Sequence, residues 1–172
     1  MQGLDPSRVI YMGTFSKAIA PAIRVAYMVL PEKLMEEYES KLKFLSCTVP
    51  RSDQNILEIF IGEGYFERHL NRMRTNYRLK RDALIESIRS NLPQAKVFEN
   101  NSGLHILLTL EQMSEEEIIN YGRLAGIKLY PISVFYTGEN ISSSTVLVGF
   151  AGLTVDEIKK GIEDFSRKIY TK

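Results

Sequence analysis

The chain has 172 residues, of which 44% are hydrophobic and 25% are charged, and its formal net charge is +1. These proportions are typical of a globular domain and exclude a highly charged disordered chain. A net charge so close to zero does not indicate a global field for nucleic acid or membrane. The chain has one cysteine, Cys47, which excludes an intrachain disulfide and favours a reducing, cytoplasmic location.

Two short apolar runs near the start of the chain enclose a small polar loop. "RVIYMGTF" and "RVAYMVL" are predicted strands, because they are rich in Val, Ile, Tyr and Met, which also indicates burial. Two strands and a helix do not make a buried sheet. We therefore expect the chain to be a C-terminal fragment whose other strands lie upstream of Met1, or to be covered by another copy.

Helices are predicted in the middle of the chain. One starts at Pro31 and a second near Asp53, with a break at "GEG", Gly62 to Gly64. The next segment has one apolar stripe at helical spacing, made of Phe66, Leu70, Met73, Tyr77, Leu84 and Ile88. The opposite face has Arg68, Arg72, Arg74, Arg78 and Arg81. Such a face is usually solvated, although a contact with another domain, a subunit or nucleic acid is also open.

Strands and helices alternate from Lys96 to the end. The predicted strands are "AKVFE", "SGLHILLTL", "IKLYPIS" and "STVLVGFAG". Ser114 with Glu117 predicts a capping box at the start of one helix, and Thr154 predicts the N-cap of the last one. This half is therefore predicted to be a compact α/β unit.

The polar loop contains the residue types that an aldehyde cofactor requires. A lysine amine such as that of Lys17 forms a Schiff base with pyridoxal 5'-phosphate, and a phosphate needs hydroxyl donors and a fixed cation. Thr14, Ser16 and Arg24 are of those types. From chemistry alone, a solvated turn lysine remains open as the alternative.

These residues also resemble a known family. "GTFSKAIAPAIRVAYMVLP" resembles the cofactor-lysine segment of fold type I aminotransferases. The whole chain resembles the C-terminal part of MocR/GabR-type regulators, in which a winged-helix head of the GntR class precedes an aminotransferase-like domain. "GEGYFERHLNRMRTNYRLKRDAL" is similar to the long interdomain helix, and "SGLHILLTL" and "GIKLYPISVFY" resemble two segments of the small domain.

The resemblance implies an α/β fold in three parts. Residues 1–52 would be the end of the pyridoxal-phosphate-binding large domain, 53–95 the connecting helices, and 96–172 the small α/β domain. The resemblance also implies that Lys17 is the Schiff-base lysine, Arg24 the phosphate-binding arginine and Thr14 a phosphate-binding hydroxyl, with Ser16 in a supporting position. The other cofactor-binding residues and the winged helix have no counterpart among these 172 residues.

For function, the resemblance implies an effector domain of a cytoplasmic, homodimeric transcriptional regulator. It would hold pyridoxal 5'-phosphate as an aldimine on Lys17, sense a small amine or amino acid, and reach DNA only through the winged-helix head. A free-standing class I/II aminotransferase is the alternative, and an interaction module with a vestigial Lys17 is a third. No metal is expected, because His69 and His105 have no partners at metal-ligand spacing.

One position departs from the family pattern. Family members that handle amino acids have an arginine on the strand before the last helix, where it binds the substrate carboxylate. Leu147 stands there in "STVLVGFAG". Leu147 can be core packing or part of an altered ligand pocket. In such a pocket, either the ligand is not an α-amino acid held in the usual way, or another arginine binds its carboxylate.

Overall fold

The computed structural model describes residues 3–98, 103–137 and 143–171. The chain divides into two compact units, Met1–Met73 and Arg74–Lys172. In chain order the strands and helices are β1 (Tyr11–Thr14), β2 (Ala26–Val29), α1 (Glu32–Leu42), α2 (Arg51–Gly62), α3 (Tyr65–Asn91), β3 (Lys96–Phe98), β4 (His105–Thr109), α4 (Glu115–Leu124), β5 (Tyr130–Pro131), β6 (Thr145–Gly149) and α5 (Val155–Tyr170). Within those described ranges, no helix is both long and apolar enough to cross a membrane.

β1 and β2 form a two-stranded antiparallel hairpin, with Tyr11 opposite Val29 and Thr14 opposite Ala26. The strands are where the sequence predicts them, and the described elements of this chain do not provide the burial that the strand composition indicates. Gly13 is half-buried, and the other seven strand residues are exposed. The physical reason is that a two-stranded sheet needs other elements on its faces to bury its side chains.

The first two helices both follow a proline. Pro31 occupies the N-cap position of α1, and Pro50 that of α2. A proline is tolerated at a helix start because the first N–H groups have no partner within the helix. The predicted break after α2 is confirmed, and Gly64 lies there with a φ of 72°, a conformation that suits glycine.

α3 confirms the long helix predicted from the apolar stripe. It is one helix of 27 residues, Tyr65–Asn91. The stripe is half-buried at Phe66 and Tyr77 and becomes fully buried towards the end of the helix, where Leu84 is 2% exposed and Ile88 is 0% exposed. The spacing of the apolar residues therefore identified the face that packs.

The second unit contains a four-stranded antiparallel sheet in the order β3-β4-β6-β5. Alternate residues of its two central strands, Ile106 and Leu108 in β4 with Val146 and Val148 in β6, are buried. They join a hydrophobic core with residues of α3, α4 and α5, including Leu84, Ile88, Ile118, Ile158, Ile162 and Phe165. The helices therefore pack on one face of the sheet.

Both predicted N-caps are confirmed, and in the structure each is part of a capping box. The Ser114 hydroxyl accepts a hydrogen bond from the Glu117 N–H, and the Glu117 carboxylate accepts one from the Ser114 N–H at 2.8 Å. Thr154 and Glu157 make the same reciprocal pair at the start of α5. Each box satisfies N–H groups that a helix start leaves unpaired.

A carboxylate ties the segment after β5 to the first turn of α4. Glu115 accepts hydrogen bonds from the N–H groups of Ile132, at 2.5 Å, and Ser133, at 3.0 Å, and from the Ser133 hydroxyl. Val134 and Phe135, which follow directly, are 68% and 69% exposed. The segment is thus held in place while its large apolar side chains lie in solvent.

Candidate functional site

The structure places the four predicted site residues at one end of the β1–β2 hairpin. Thr14 is the last residue of β1, Ser16 and Lys17 lie in the turn that follows, and Arg24 precedes β2 by two residues. Because β1 and β2 are paired up to Thr14 and Ala26, both ends of the connecting loop start from the same rigid edge. The loop therefore presents these side chains from one short region of the chain.

Thr14 fixes the base of the loop. Its hydroxyl donates to the Val25 carbonyl oxygen at 3.2 Å and accepts the Ser16 N–H at 3.1 Å. The Phe15 N–H donates to the same Val25 oxygen at 2.9 Å. The Thr14 hydroxyl is therefore engaged in the loop itself, and it would have to exchange the Val25 oxygen for a ligand oxygen in order to donate to a ligand.

Lys17 lies in a tight turn. The N–H groups of Ala18 and Ile19 both donate to the Phe15 carbonyl oxygen, at 3.1 and 2.8 Å. The Lys17 side chain is exposed, and its ammonium makes no hydrogen bond or ion pair with any residue that the structure describes. The backbone beside Lys17 is thus ordered while its amine remains available.

Arg24 has a left-handed backbone, with φ at 48° and ψ at 32°. Within the described ranges it is the one non-glycine residue with positive φ. For a residue with a Cβ, this conformation costs about 1–2 kcal/mol. The Arg24 guanidinium is exposed and has no ion pair with a described residue. Backbone strain of this kind concentrates at functional sites, which makes Arg24 a candidate ligand-binding residue.

Sequence reasoning missed an aromatic group that packs around the same loop. The Tyr27 ring lies 6.0 Å from the Tyr11 ring and 5.2 Å from the Phe15 ring, between ring centroids. A hydrogen bond with the Tyr11 side chain raises the pKa of Tyr27. Phe15 also meets Phe66 edge to face at 5.8 Å. The presence of Tyr11 and Phe15 in "YMGTF" and of Tyr27 in "RVAYM" was the available signal.

The packing of the Tyr27 ring requires a glycine at position 13. A Cβ added at Gly13 would lie 2.3 Å from Cζ of Tyr27, which is closer than real atoms approach. The glycine therefore lets the Tyr27 ring cross β1, and the ring covers the strand that leads to Thr14.

His69 lies in a second aromatic group in the first unit. Its ring is 6.2 Å from that of Phe60, which is also 6.2 Å from the Phe66 ring. The Nε2 atom of His69 is buried without a hydrogen-bond partner. His105 begins β4 opposite Gly149 and is exposed. Among the described residues, no three His, Cys, Asp or Glu side chains come together as metal ligands.

Leu147 does not belong to the core of the second unit. It lies in β6 between Val146 and Val148, which are both buried in the core, so its side chain lies on the opposite face of the sheet. Leu107 of β4 and Tyr130 of β5 are its cross-strand partners. Leu147 is half-buried on that face and is not part of the hydrophobic core that the described residues form.

The second unit also has a mainly apolar cavity of about 470 Å³. It lies between α5 and two extended segments, and Ile127, Leu129, Phe150, Ile158 and Ile162 are among its lining residues. None of the four predicted site residues lines it. The nucleophilic amine of Lys17 and the strained Arg24 lie in the hairpin loop instead.

The donor set of the loop fits pyridoxal 5'-phosphate in part. An exposed lysine amine suits an aldehyde, and an arginine without a described partner suits a phosphate dianion. The Ser16 hydroxyl makes no hydrogen bond with a described residue, whereas that of Thr14 is engaged. Lys17, Arg24 and Ser16 therefore fit the group as they stand.

The chain is similar to transcriptional regulators over nearly its whole length, although no family model matches it. It is 43% identical over 166 residues to the uncharacterized HTH-type transcriptional regulator YhdI of Bacillus subtilis, covering 95% of this chain and 35% of YhdI. It is 30% identical to the probable rhizopine catabolism regulatory protein MocR of Rhizobium meliloti, covering 94% of this chain and 33% of MocR. The chain thus spans about a third of the length of these relatives.

Solved structures show the same fold in aminotransferases. The kynurenine aminotransferase of Pyrococcus horikoshii, solved in complex with PMP, superposes with a TM-score of 0.81 at 27% identity, covering 97% of this chain and 42% of the enzyme. The predicted fold class is confirmed by this match. The chain therefore corresponds to a part, about a third of the length, of MocR-type HTH transcriptional regulators, and this part has the fold of fold type I aminotransferases.

Proposed function

We propose that this chain forms part of a regulatory effector domain that binds pyridoxal 5'-phosphate through Lys17 and responds to a small amine or amino acid. The observation that supports this most strongly is Arg24. A strained arginine in the same loop as an exposed lysine, with no ion pair to a described residue, suits an anion held beside an amine.

Each loop residue has a proposed role. Arg24 holds the phosphate through its planar guanidinium, which binds two oxygens at once. Ser16 donates its hydroxyl to the phosphate, and Thr14 keeps the loop closed through Val25 and adds a second hydroxyl if it exchanges that bond. Lys17 supplies the amine that attaches the cofactor.

When bound, pyridoxal 5'-phosphate supplies an aldehyde that reacts with primary amines. The ligand class therefore follows as a small primary amine or an amino acid. Leu147, on the sheet face away from the core, has no charge with which to bind a carboxylate. An amine without an α-carboxylate is accordingly the ligand that this chain's residues favour.

In the parent protein, the ligand would shift the balance between conformations that differ in DNA affinity. We propose that DNA binds to a winged-helix part outside these residues and that the parent is a cytoplasmic homodimer. Residues 1–52, 53–95 and 96–172 would be the end of the cofactor-binding domain, the connecting helices and the small domain. The relatives' description as HTH-type regulators favours this function over a free-standing aminotransferase.

The test uses the parent regulator that contains this chain. After incubation with pyridoxal 5'-phosphate and reduction with borohydride, mass spectrometry should find the added mass on the peptide with Lys17. Lys17→Ala should abolish the label, and Lys33→Ala, at an exposed lysine of α1, should leave it unchanged. Labelling that survives Lys17→Ala would reject the proposed role of Lys17.

A further inference from the structure

The backbone of Phe15 connects the turn that contains Lys17 to the rest of the first unit. The Phe15 carbonyl oxygen accepts hydrogen bonds from the N–H groups of Ala18 and Ile19, at 3.1 and 2.8 Å, and these two bonds close the turn. The Phe15 N–H donates to the Val25 carbonyl oxygen at 2.9 Å, on the other side of the loop. Phe15 therefore joins the turn to the segment that leads into β2.

The side chain of Phe15 contacts two aromatic rings from different elements. Its ring centroid lies 5.2 Å from that of Tyr27 in β2 and 5.8 Å from that of Phe66 in the first turn of α3. Tilted and edge-to-face ring pairs of this kind stabilise a structure beyond the apolar area that they bury. Phe15 is half-buried, whereas Lys17, two residues later, is exposed. The ring contacts thus fix the start of the turn and leave the lysine side chain in solvent.

We propose that Phe15 is a positioning residue for Lys17. The Phe15 ring fixes the turn, and the turn fixes the point from which the Lys17 side chain extends. A lysine amine is carried on a flexible stem, so the position of its backbone decides how often the amine meets a bound aldehyde. A misplacement of about 1 Å can slow a reaction on the order of 100-fold. Phe15 acts through the backbone of the turn, and this role requires no contact with the cofactor.

This inference rests on the proposed function, because Phe15 has this role only if Lys17 attaches the cofactor. It deepens that function by naming a residue outside the four predicted site residues. It also makes the first turn of α3 part of the support of the loop, since Phe66 supplies one of the two ring contacts. Removal of the Phe66 ring should therefore act on Lys17 in the same direction as removal of the Phe15 ring.

The first measurement uses the 172-residue chain without cofactor. Amide hydrogen exchange, followed by NMR, reports on the two hydrogen bonds of the turn, because exchange requires that they open. In Phe15→Ala, the amides of Ala18 and Ile19 should exchange at least about tenfold faster, while those of α5 in the second unit keep their rates. Unchanged exchange at Ala18 and Ile19 would overturn the proposal.

The second measurement uses the parent regulator and pyridoxal 5'-phosphate. Borohydride is added at timed intervals, and mass spectrometry follows the label on the peptide with Lys17. The labelling rate at several cofactor concentrations gives a limiting rate and a half-saturating concentration. Phe15→Ala should lower the limiting rate at least about tenfold and change the half-saturating concentration less than about twofold, because Arg24 and Ser16 still hold the phosphate. Partial unfolding would instead reduce the fraction of chains that become labelled.

Three further variants separate positioning from general destabilisation. Phe15→Tyr keeps the ring and should have a limiting rate within about twofold of that of the unmodified parent. Phe66→Leu removes one ring contact from the α3 side and should lower the limiting rate about threefold, which tests the proposal even if Phe15→Ala does not fold. Tyr38→Ala removes an exposed ring from α1 and should leave both quantities unchanged.

The possible failures of the two proposals differ. Equal limiting rates in Phe15→Ala and the unmodified parent would reject the role of Phe15 while Lys17 remains the attachment point. Absence of the label from Lys17 in the unmodified parent would reject the proposed function, and the positioning role with it.

Discussion

The Tyr27 ring lies directly against Gly13 on the paired strand, where a Cβ would be only 2.3 Å from Cζ of the ring. This contact joins the hairpin to the loop with Lys17, because Tyr27 also packs on Phe15 at the start of that loop. A single methyl group at position 13 is therefore a sensitive probe of the candidate site.

Gly13→Ala should displace the Tyr27 ring and destabilise the hairpin by about 1–3 kcal/mol, the usual cost of overpacking. Urea unfolding would measure it. Gly62→Ala is the matched control, since a Cβ there meets nothing within 4 Å, and it should be neutral or stabilising. Adding Tyr27→Leu to Gly13→Ala should recover part of the loss. Equal stability of Gly13→Ala and the unmodified chain would contradict the close contact.

The capping box of α5 predicts that the free energy of unfolding depends on pH. The hydrogen bond from the Thr154 N–H lowers the pKa of Glu157 below its ordinary value of 4.5, and the bond from the Thr154 hydroxyl lowers it to a smaller extent. A lowered folded-state pKa gives stability that is present above about pH 4.5 and is lost as the pH falls through the folded-state value.

Glu157→Gln should therefore reduce the free energy of unfolding near pH 6, and the deficit should shrink as the pH falls below about 4.5. Urea titrations at several pH values would measure this. Glu163→Gln removes a charge from the same helix without touching the cap and is the control. A deficit that stays constant down to pH 3 would show that Glu157 is not acting through its charge.

The isolated chain should bind pyridoxal 5'-phosphate weakly or not at all. Lys17, Arg24 and Ser16 supply only part of a site, because each charge-assisted contact contributes roughly 1.5–3 kcal/mol and ordering the ligand removes several. Titration with the cofactor, borohydride reduction and mass spectrometry would measure this. Stoichiometric labelling of Lys17 at micromolar cofactor would show that the loop is sufficient.

The chain should self-associate at tens of micromolar. Met12 is 73% exposed, Phe44 77% and Ile56 62%, all in the first unit. Exposed apolar surface of this extent tends to be covered by a partner. Light scattering should show dimers or larger species, and Met12→Lys should shift the distribution towards monomer. A monodisperse monomer at the same concentration would contradict the prediction.

Because Leu147 stands at the position of the carboxylate-binding arginine, we expect the parent protein to be a poor aminotransferase. Without an arginine at this position, a buried carboxylate loses roughly 2–5 kcal/mol of binding, or about 30-fold to several thousand-fold in affinity. The parent should show spectral changes of the bound cofactor with some amine, but little transamination with alanine, aspartate or glutamate. Leu147→Arg should improve binding of these amino acids. Rapid transamination by the unmodified parent would contradict this prediction and favour the alternative that the parent is an aminotransferase.

Features set by near neighbours could be predicted from the sequence. The capping box of Ser114 and Glu117, the break at Gly62 to Gly64 and the helix Tyr65–Asn91 all depend on residues within one or two turns of each other. The loop of Lys17 was also visible, because its small polar residues stand between two apolar runs. These are local effects of propensity, spacing and hydrogen bonding.

Tertiary structure decided the features that need partners distant in sequence. The Tyr27 ring against Gly13, the left-handed Arg24 and the engaged Thr14 hydroxyl depend on the pairing of β1 with β2. Leu147 lies on the sheet face away from the core only because the register with Leu107 and Tyr130 puts it there. The strand composition indicated burial, but exposure depends on which elements cover a sheet, and a strand's own residues do not specify those.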